Sequence, residues 1–195
     1  MAELDFSYIA SLVESARQGS SDAFAELYAA TYQKQYKFAC CYLKDEYLAQ
    51  DALQESYITA LKNLATLKDP KLFVSWLGQI NFRVCYAMAG KQERMNRETE
   101  AFQSPEAENA PAEDENPQDR LVRIDSKEYL LKQVMALPYS ESQTIFLHYY
   151  QDLKIDEIAE MLDMSRSTVK RHLADGKARL RKVLSPQGKA GEASA

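Results

Sequence analysis

At 195 residues with 46% hydrophobic content, the chain has material for one domain or two small ones with real cores. Its net charge of −5 is unevenly spread: residues 1–100 carry 13 acidic and 11 basic groups, 101–128 carry 8 and 3, and 129–195 carry 8 and 10. No part is basic enough for tight stand-alone DNA binding, because phosphate neutralisation supplies most non-specific affinity; any nucleic-acid role calls for a larger basic partner.

Residues 6–18 predict a short amphipathic helix that stops at Gly19. Ser21 caps the next, which carries Phe24, Leu27, Tyr28, Thr31 and Tyr32 and runs on through Tyr36, Ala39 and Leu43 as core-building material, until Lys44-Asp45 interrupts it. The third helix, about 46–64, has two stripes. Ala49, Ala52, Leu53, Ser56, Tyr57, Ala60 and Leu64 make a packed face. Asp51, Gln54, Glu55, Ile58 and Lys62 make a second stripe at helical spacing, and an isoleucine among polar neighbours suits a partner interface. A solvated face with one stray isoleucine is the alternative.

A turn region over 66–71, with Pro70 suited to a first helical turn, leads to a helix of about 71–90. Phe73, Trp76, Leu77, Ile80 and Val84 form its core stripe. Ser75, Gln79, Phe82 and Tyr86 lie opposite, flanked by Arg83 and Lys91. Two aromatics away from the core fit a platform for unstacked bases; the alternative is another helix covering that face. From Glu98 to Asp119 there are eight acids, no Lys or Arg, and Pro105, Pro111 and Pro117, the composition of a disordered linker. Its extended reach is roughly 70 Å.

A second domain begins near Arg120, with a helix through Leu130, Leu131, Val134 and Leu137 stopped by Pro138. Ser140 and Gln143 read as a capping box for the helix bearing Ile145, Phe146 and Tyr149. Then come two short helices. Ile155, Ile158, Ala159 and Leu162 stripe the first; Ser165 caps the second, whose Val169, Leu173, Gly176 and Leu180 share a face. Seven Lys/Arg stand against Asp175 alone between Ser165 and Lys182, with Ser167, Lys170, Arg171 and Arg181 turned outward. This is a helix-turn-helix with a basic second helix shaped for the major groove. A helical hairpin with a solvated basic face is the bland alternative. Residues 185–195 read as a floppy tail.

No run of about 18 apolar residues occurs and MAELDFSYIA lacks a signal-peptide pattern, so the chain reads as cytoplasmic, with no membrane insertion. Cys40, Cys41 and Cys85 read as reduced core residues. With only His148 and His172, no phosphate loop and no nucleophile elbow, no metal, cofactor or catalytic residue is expected, and the chain does not read as an enzyme.

Several motifs together resemble the bacterial RNA polymerase sigma factors of the extracytoplasmic-function (ECF) group. These are DAFAELY (22–28), DALQESYITALKN (51–63) and FVSWLGQI (73–80), then NPQDRLV (116–122), the Leu-Pro at 137–138 and the DEIAEML…STVKRHL frame. The likeness covers roughly 19–92 and 117–184.

It implies an all-α chain of two small helical domains: an N-terminal domain over 1–97, a flexible acidic linker over 98–119 and a helix-turn-helix domain over 120–184. Asp51, Gln54, Glu55 and Ile58 would dock the clamp helices of core RNA polymerase, on the stripe already singled out. The loop and helix over 66–86 would melt and read the −10 element of promoter DNA, through Lys68, Lys71, Gln79, Phe82, Arg83 and Tyr86. The last helix would read the −35 element through Arg166, Ser167, Thr168, Lys170, Arg171, Lys177 and Arg181, while the linker would thread toward the polymerase active centre and RNA exit. Many members have an anti-sigma inhibitor, often a membrane protein, which makes one a candidate partner here. The chain departs from the family pattern at Arg83 and Ala87, where Asn and Asp are frequent. Further departures are Asp163 for the turn glycine, Asp152 and Lys154 for Gly and Ser, and Asp175 for Arg.

The rival reading is a free-standing helix-turn-helix regulator with an N-terminal sensing or dimerisation domain. It predicts DNA binding without polymerase and a palindromic site.

Overall fold

The computed structural model describes residues 5–102 and 126–185, all of whose regular structure is helical. Four helices form the N-terminal half: α1 (Phe6–Arg17), α2 (Ser21–Leu43), α3 (Glu46–Asn63) and α4 (Phe73–Phe102). The C-terminal half holds α5 (Ser126–Met135), α6 (Tyr139–Ile145), α7 (Ile155–Leu162) and α8 (Arg166–Leu184). After α6 the chain continues into a wider π-helical turn over Phe146–Tyr150.

Local chemistry sets most of the boundaries. The Asp5 carboxylate accepts the Ser7 and Tyr8 N–H groups ahead of α1, Ser20 accepts from Ala23 N–H ahead of α2, and Asp45 from Leu48 N–H ahead of α3. Gly19 turns the chain between α1 and α2 at φ +95°, and Lys44 does so after α2 at φ +56°. Three expectations change: the cap of α2 is Ser20 and not Ser21, which is the first residue of the helix and has its own N–H ahead of the capped turn. The helix expected at about 71–90 runs on to Phe102, so 98–102 are helical; the rest of the acidic linker and the tail from 186 lie outside the described residues. The capping box at Ser140 is not formed. α6 starts two residues earlier behind Pro138, which puts Ser140 inside the first turn, where its carbonyl accepts the Thr144 hydroxyl.

The N-terminal core is Ile9, Val13, Leu27, Leu53, Phe73 and Leu77 with their neighbours, the stripes expected from periodicity. Polar groups tie it across elements. Buried Asn81 of α4 donates to the Gln35 carbonyl (3.0 Å) and Gln35 Oε1 (3.1 Å) of α2, and accepts from Ser56 Oγ (3.3 Å) of α3. Each polar group of such a buried knot needs its partners, so it pins the register of three helices.

The halves are not held apart. One core cluster runs through both, joining Phe38, Phe82 and Cys85 to Phe146, Leu147, Leu153 and Ile158. Phe82 lies 5.0 Å from the Phe146 ring and 5.9 Å from Tyr139, and Phe38 lies 4.8 Å from Phe146 and 5.7 Å from Tyr150. The π-turn presents Phe146 and Tyr150 stacked, 5.0 Å apart, toward α2. Around this cluster Lys34 Nζ donates to Gln151 Oε1 (3.1 Å), and Lys68 pairs with Glu160 at 3.4 Å.

Candidate functional site

Three surfaces carry the residues singled out in the sequence. On α3, Asp51, Gln54, Glu55 and Ile58 all face solvent while Ala49, Ala52, Leu53, Ser56, Tyr57 and Ala60 are buried behind them. Ile58 keeps 46% of its surface and Leu61 53%, one turn apart along the helix. They border a groove between α2 and α3 whose floor is aromatic. Tyr28 lies 4.5 Å from Tyr57 and 5.3 Å from Tyr32, and Tyr32 stacks on Tyr36 at 5.5 Å. Tyr28, core material by its helical spacing, is 41% exposed. The tyrosines at 28, 32 and 36 recur every four residues, a ladder legible in the sequence, but only the packing of α3 shows which edge it leaves open. Burial pushes the Tyr57 phenol up to about 12 despite a 2.7 Å hydrogen bond with Thr31.

The second surface departs from expectation. Lys68, Lys71 and Arg83 are exposed, but Gln79 and Phe82 are buried and Tyr86 is half-buried. Phe82 is 0% exposed. The reason is tertiary: Tyr139 and Phe146 lie over Phe82, and Tyr139 meets Tyr86 edge-on at 5.0 Å. The exposed aromatic platform is corrected to a covered one; helices of the C-terminal half occupy that face. Asp69 accepts the Lys71 N–H (2.9 Å), which orders the loop between α3 and α4.

The third surface is α8 with α7 behind it. Asp163 takes the left-handed conformation at φ +53°, the role a glycine commonly fills at a helix C-terminus. Ser165 accepts the Thr168 N–H (3.1 Å), and its hydroxyl lies 2.8 Å from both the Ser167 and Thr168 hydroxyls. Thr168 is therefore half-buried and engaged in the cap rather than presented outward. Val169, Leu173 and Gly176 pack inward; a Cβ on Gly176 would come within 2.6 Å of Ile145, so glycine lets α8 sit close to α6. Arg166, Ser167, Lys170, Arg171, Lys177 and Arg181 face solvent. Arg166 pairs with Asp156 at 2.6 Å and Lys177 sits 5.1 Å over the Tyr149 ring. Both ties are exposed and weak enough to be exchanged for phosphate. Tyr149 was not foreseen as support for a basic residue, since it lies 28 positions away in sequence.

Among the described residues no group of His, Cys, Asp and Glu is placed to hold a metal, and no helix is long and apolar enough to cross a membrane. Cys85 is buried, which pushes its thiol up to about 12, and Cys40 and Cys41 are half-buried.

An all-helical chain ending in a helix-turn-helix with an exposed basic second helix defines a DNA-binding protein of the transcription class. Its relatives narrow this. The family described as "Sigma-70, region 4" matches residues 127–180. The RNA polymerase sigma factor SigV of Bacillus subtilis is 31% identical over 141 residues, covering 71% of this chain and 76% of that protein. The ECF RNA polymerase sigma factor SigW of the same organism is 24% identical over 176 residues, covering 88% and 94%. Two solved structures share the fold: CnrH in complex with the cytosolic domain of CnrY (TM-score 0.58, 19% identity, 91% of this chain and 97% of that one), and the Bartonella quintana sigma factor RpoE in complex with the anti-sigma factor NepR (TM-score 0.54, 16% identity, 83% and 96%). The chain belongs to the RNA polymerase sigma factors, in the ECF group. It acts in promoter-directed transcription initiation. The free-standing regulator is not favoured, because the match to SigW spans the N-terminal half as well as the helix-turn-helix.

Proposed function

We propose that the three surfaces divide the work of a sigma factor among them. The exposed stripe of α3, with Asp51, Gln54, Glu55 and Ile58 beside the tyrosine-floored groove, docks core RNA polymerase. The loop before α4 and the exposed part of that helix, with Lys68, Lys71 and Arg83, take −10 DNA. The outward face of α8, with Arg166, Ser167, Lys170, Arg171, Lys177 and Arg181, reads the −35 element. The observation that carries the reading is Ile58, a half-exposed apolar side chain at the rim of an aromatic groove and flanked by Asp51, Gln54 and Glu55. Apolar anchors ringed by polar residues are the usual centre of a protein interface.

The chain performs no bond chemistry of its own in this reading, and it works in the cytoplasm, where the template is. An anti-sigma protein is a candidate inhibitor, since both similar structures are complexes, one of them with an anti-sigma factor. Run-off transcription with core polymerase on a genomic promoter library, with and without this chain, tests the assignment. Chain-dependent transcripts from a small promoter set are expected; the same transcripts without the chain, or none with it, would discard it.

A further inference from the structure

One charge on the outward face of α8 runs against the rest. Between Ser165 and Lys182 the chain carries seven basic residues and a single acid, Asp175. Asp175 is exposed, and at 100° per residue it lies at least about 100° around the axis from each of the buried Val169, Leu173 and Gly176. It stands one turn beyond Arg171 and about 40° from it, in the exposed row that Ser167 opens.

Neighbouring charges leave this carboxylate alone. Arg179, one turn further on, is the cation that helical spacing would give it. That guanidinium turns instead to Glu141 of α6, at 3.0 Å. Asp156 of α7 takes Arg166 in the same way, at 2.6 Å. Among the described residues the Asp175 side chain makes no ion pair or hydrogen bond. It therefore adds nothing to the packing of α8 or to its local ion pairs.

A free carboxylate in that row works against DNA in general, because affinity rests on neutralising phosphates. On the floor of the major groove the same group finds a partner. It accepts the N4 amino group of cytosine, as an arginine takes O6 and N7 of guanine. Guanine offers only acceptors there, thymine an acceptor and a methyl group, and adenine sets its N7 acceptor beside the amino group.

We propose that Asp175 is a specificity-determining residue of the −35 contact, accepting the N4 amino group of a cytosine. One helical turn is about 6 Å and a base-pair step 3.4 Å, so this cytosine lies roughly one or two base pairs from the base met by Arg171. The same charge repels sequences that lack the cytosine, so it rejects wrong sites as well as selecting the right one. The proposal rests on the assignment of α8 to the −35 element.

The test is selection of promoters with a randomised −35 element by holoenzyme assembled from core RNA polymerase and the full chain, read by sequencing. Wild type, Asp175→Ala, Asp175→Asn and Arg171→Ala are compared, each with a thermal melt. Asp175 is exposed and alanine is the better helix former, so the fold should be kept. The wild type is expected to favour one C·G pair about tenfold. Asp175→Ala should level that position to within about twofold, leave the others unchanged, and bind promoters lacking the pair about threefold more tightly. Asp175→Asn should move the preference to adenine, whose N6 and N7 an asparagine meets together. The position altered by Arg171→Ala should lie one or two base pairs away. An unchanged preference at every position in Asp175→Ala, or a uniform loss across all of them, would overturn the proposal and leave the −35 assignment standing on Arg171→Ala. A wild-type holoenzyme that selects no sequence in the randomised element would overturn both.

Discussion

At the scale of single residues, what matters is which side chains keep their surface although their neighbours are packed. Ile58 and Gln54 project from a helix whose other face is buried in α2 and α4 contacts, so removing them should spare the fold. Gln54→Ala with Ile58→Ala is expected to weaken core-polymerase binding by about 2–4 kcal/mol, the range of interface anchors, with an unchanged melting temperature; pull-down alongside a thermal melt measures both. Arg171 is exposed near the start of α8, where side chains reach base edges. Arg171→Ala should cost about 1–3 kcal/mol in promoter binding and relax specificity at one position; an equal loss on every promoter variant would make it a phosphate contact instead. Cys85 and Tyr57 give a pH signature. Burial raises both groups to about 12 from ordinary values of 9.0 and 10.0. Both are neutral in the folded chain, so their contribution is complete below pH 9 and is lost as the pH climbs toward 12, where the unfolded chain can ionise and the folded one resists. Urea midpoints should be flat across neutral pH and fall above pH 9, and less steeply in Cys85→Ala.

At the scale of elements, the turn between α7 and α8 sets how the basic face is presented. It depends on a left-handed Asp163 followed by the Ser165 cap. These two positions predict opposite outcomes. Asp163→Gly relieves a conformation that is costly for a residue with a Cβ and should stabilise the chain by roughly 0.5–1 kcal/mol. Ser165→Ala removes the acceptor of Thr168 N–H and should destabilise it by about 1 kcal/mol. Thermal melts of the two variants check the signs. Both positions are legible in the sequence, Asp163 standing where a turn glycine is frequent and Ser165 ahead of an apolar stripe, because caps and left-handed positions depend on a few neighbours. The start of α6 is less legible for a related reason. Pro138 and Ser140 both offer a start, and only the surrounding packing decides between signals two residues apart. α4 ran longer than expected because its acidic end has no glycine or proline before Pro105 to stop it.

At the scale of the whole molecule, the aromatic seam is the decisive feature. Truncating a buried phenylalanine usually costs about 3–5 kcal/mol. Phe82→Ala leaves a gap among Phe38, Tyr139 and Phe146, so a loss of about that size is expected. We expect this variant to keep its far-UV signal and lose the near-UV signal of the packed rings; a cooperative loss of both would show that the halves cannot exist undocked. The same seam gives the earlier reading of Phe82 and Tyr86 its outcome. Two aromatics on the helix face away from the N-terminal core do need a cover, and here the cover is the chain itself.

The chain's sequence alone determined the helices, the Ser165 cap, the two stripes of α3 and the basic outward face of α8. Each follows from interactions within a turn or two, where the 3.6-residue period and short-range hydrogen bonds translate spacing directly into geometry. Tertiary structure alone decided which exposed-looking faces remain exposed. The periodicity that placed Phe82, Tyr86 and Gln79 opposite the core was right about direction, yet it carries no information about a helix sixty residues away. Tyr28 shows the converse: it reads as core, and the packing of α3 leaves its edge open. Burial on a second face is a property of pairs of elements, and long-range pairing is what a single sequence encodes least directly.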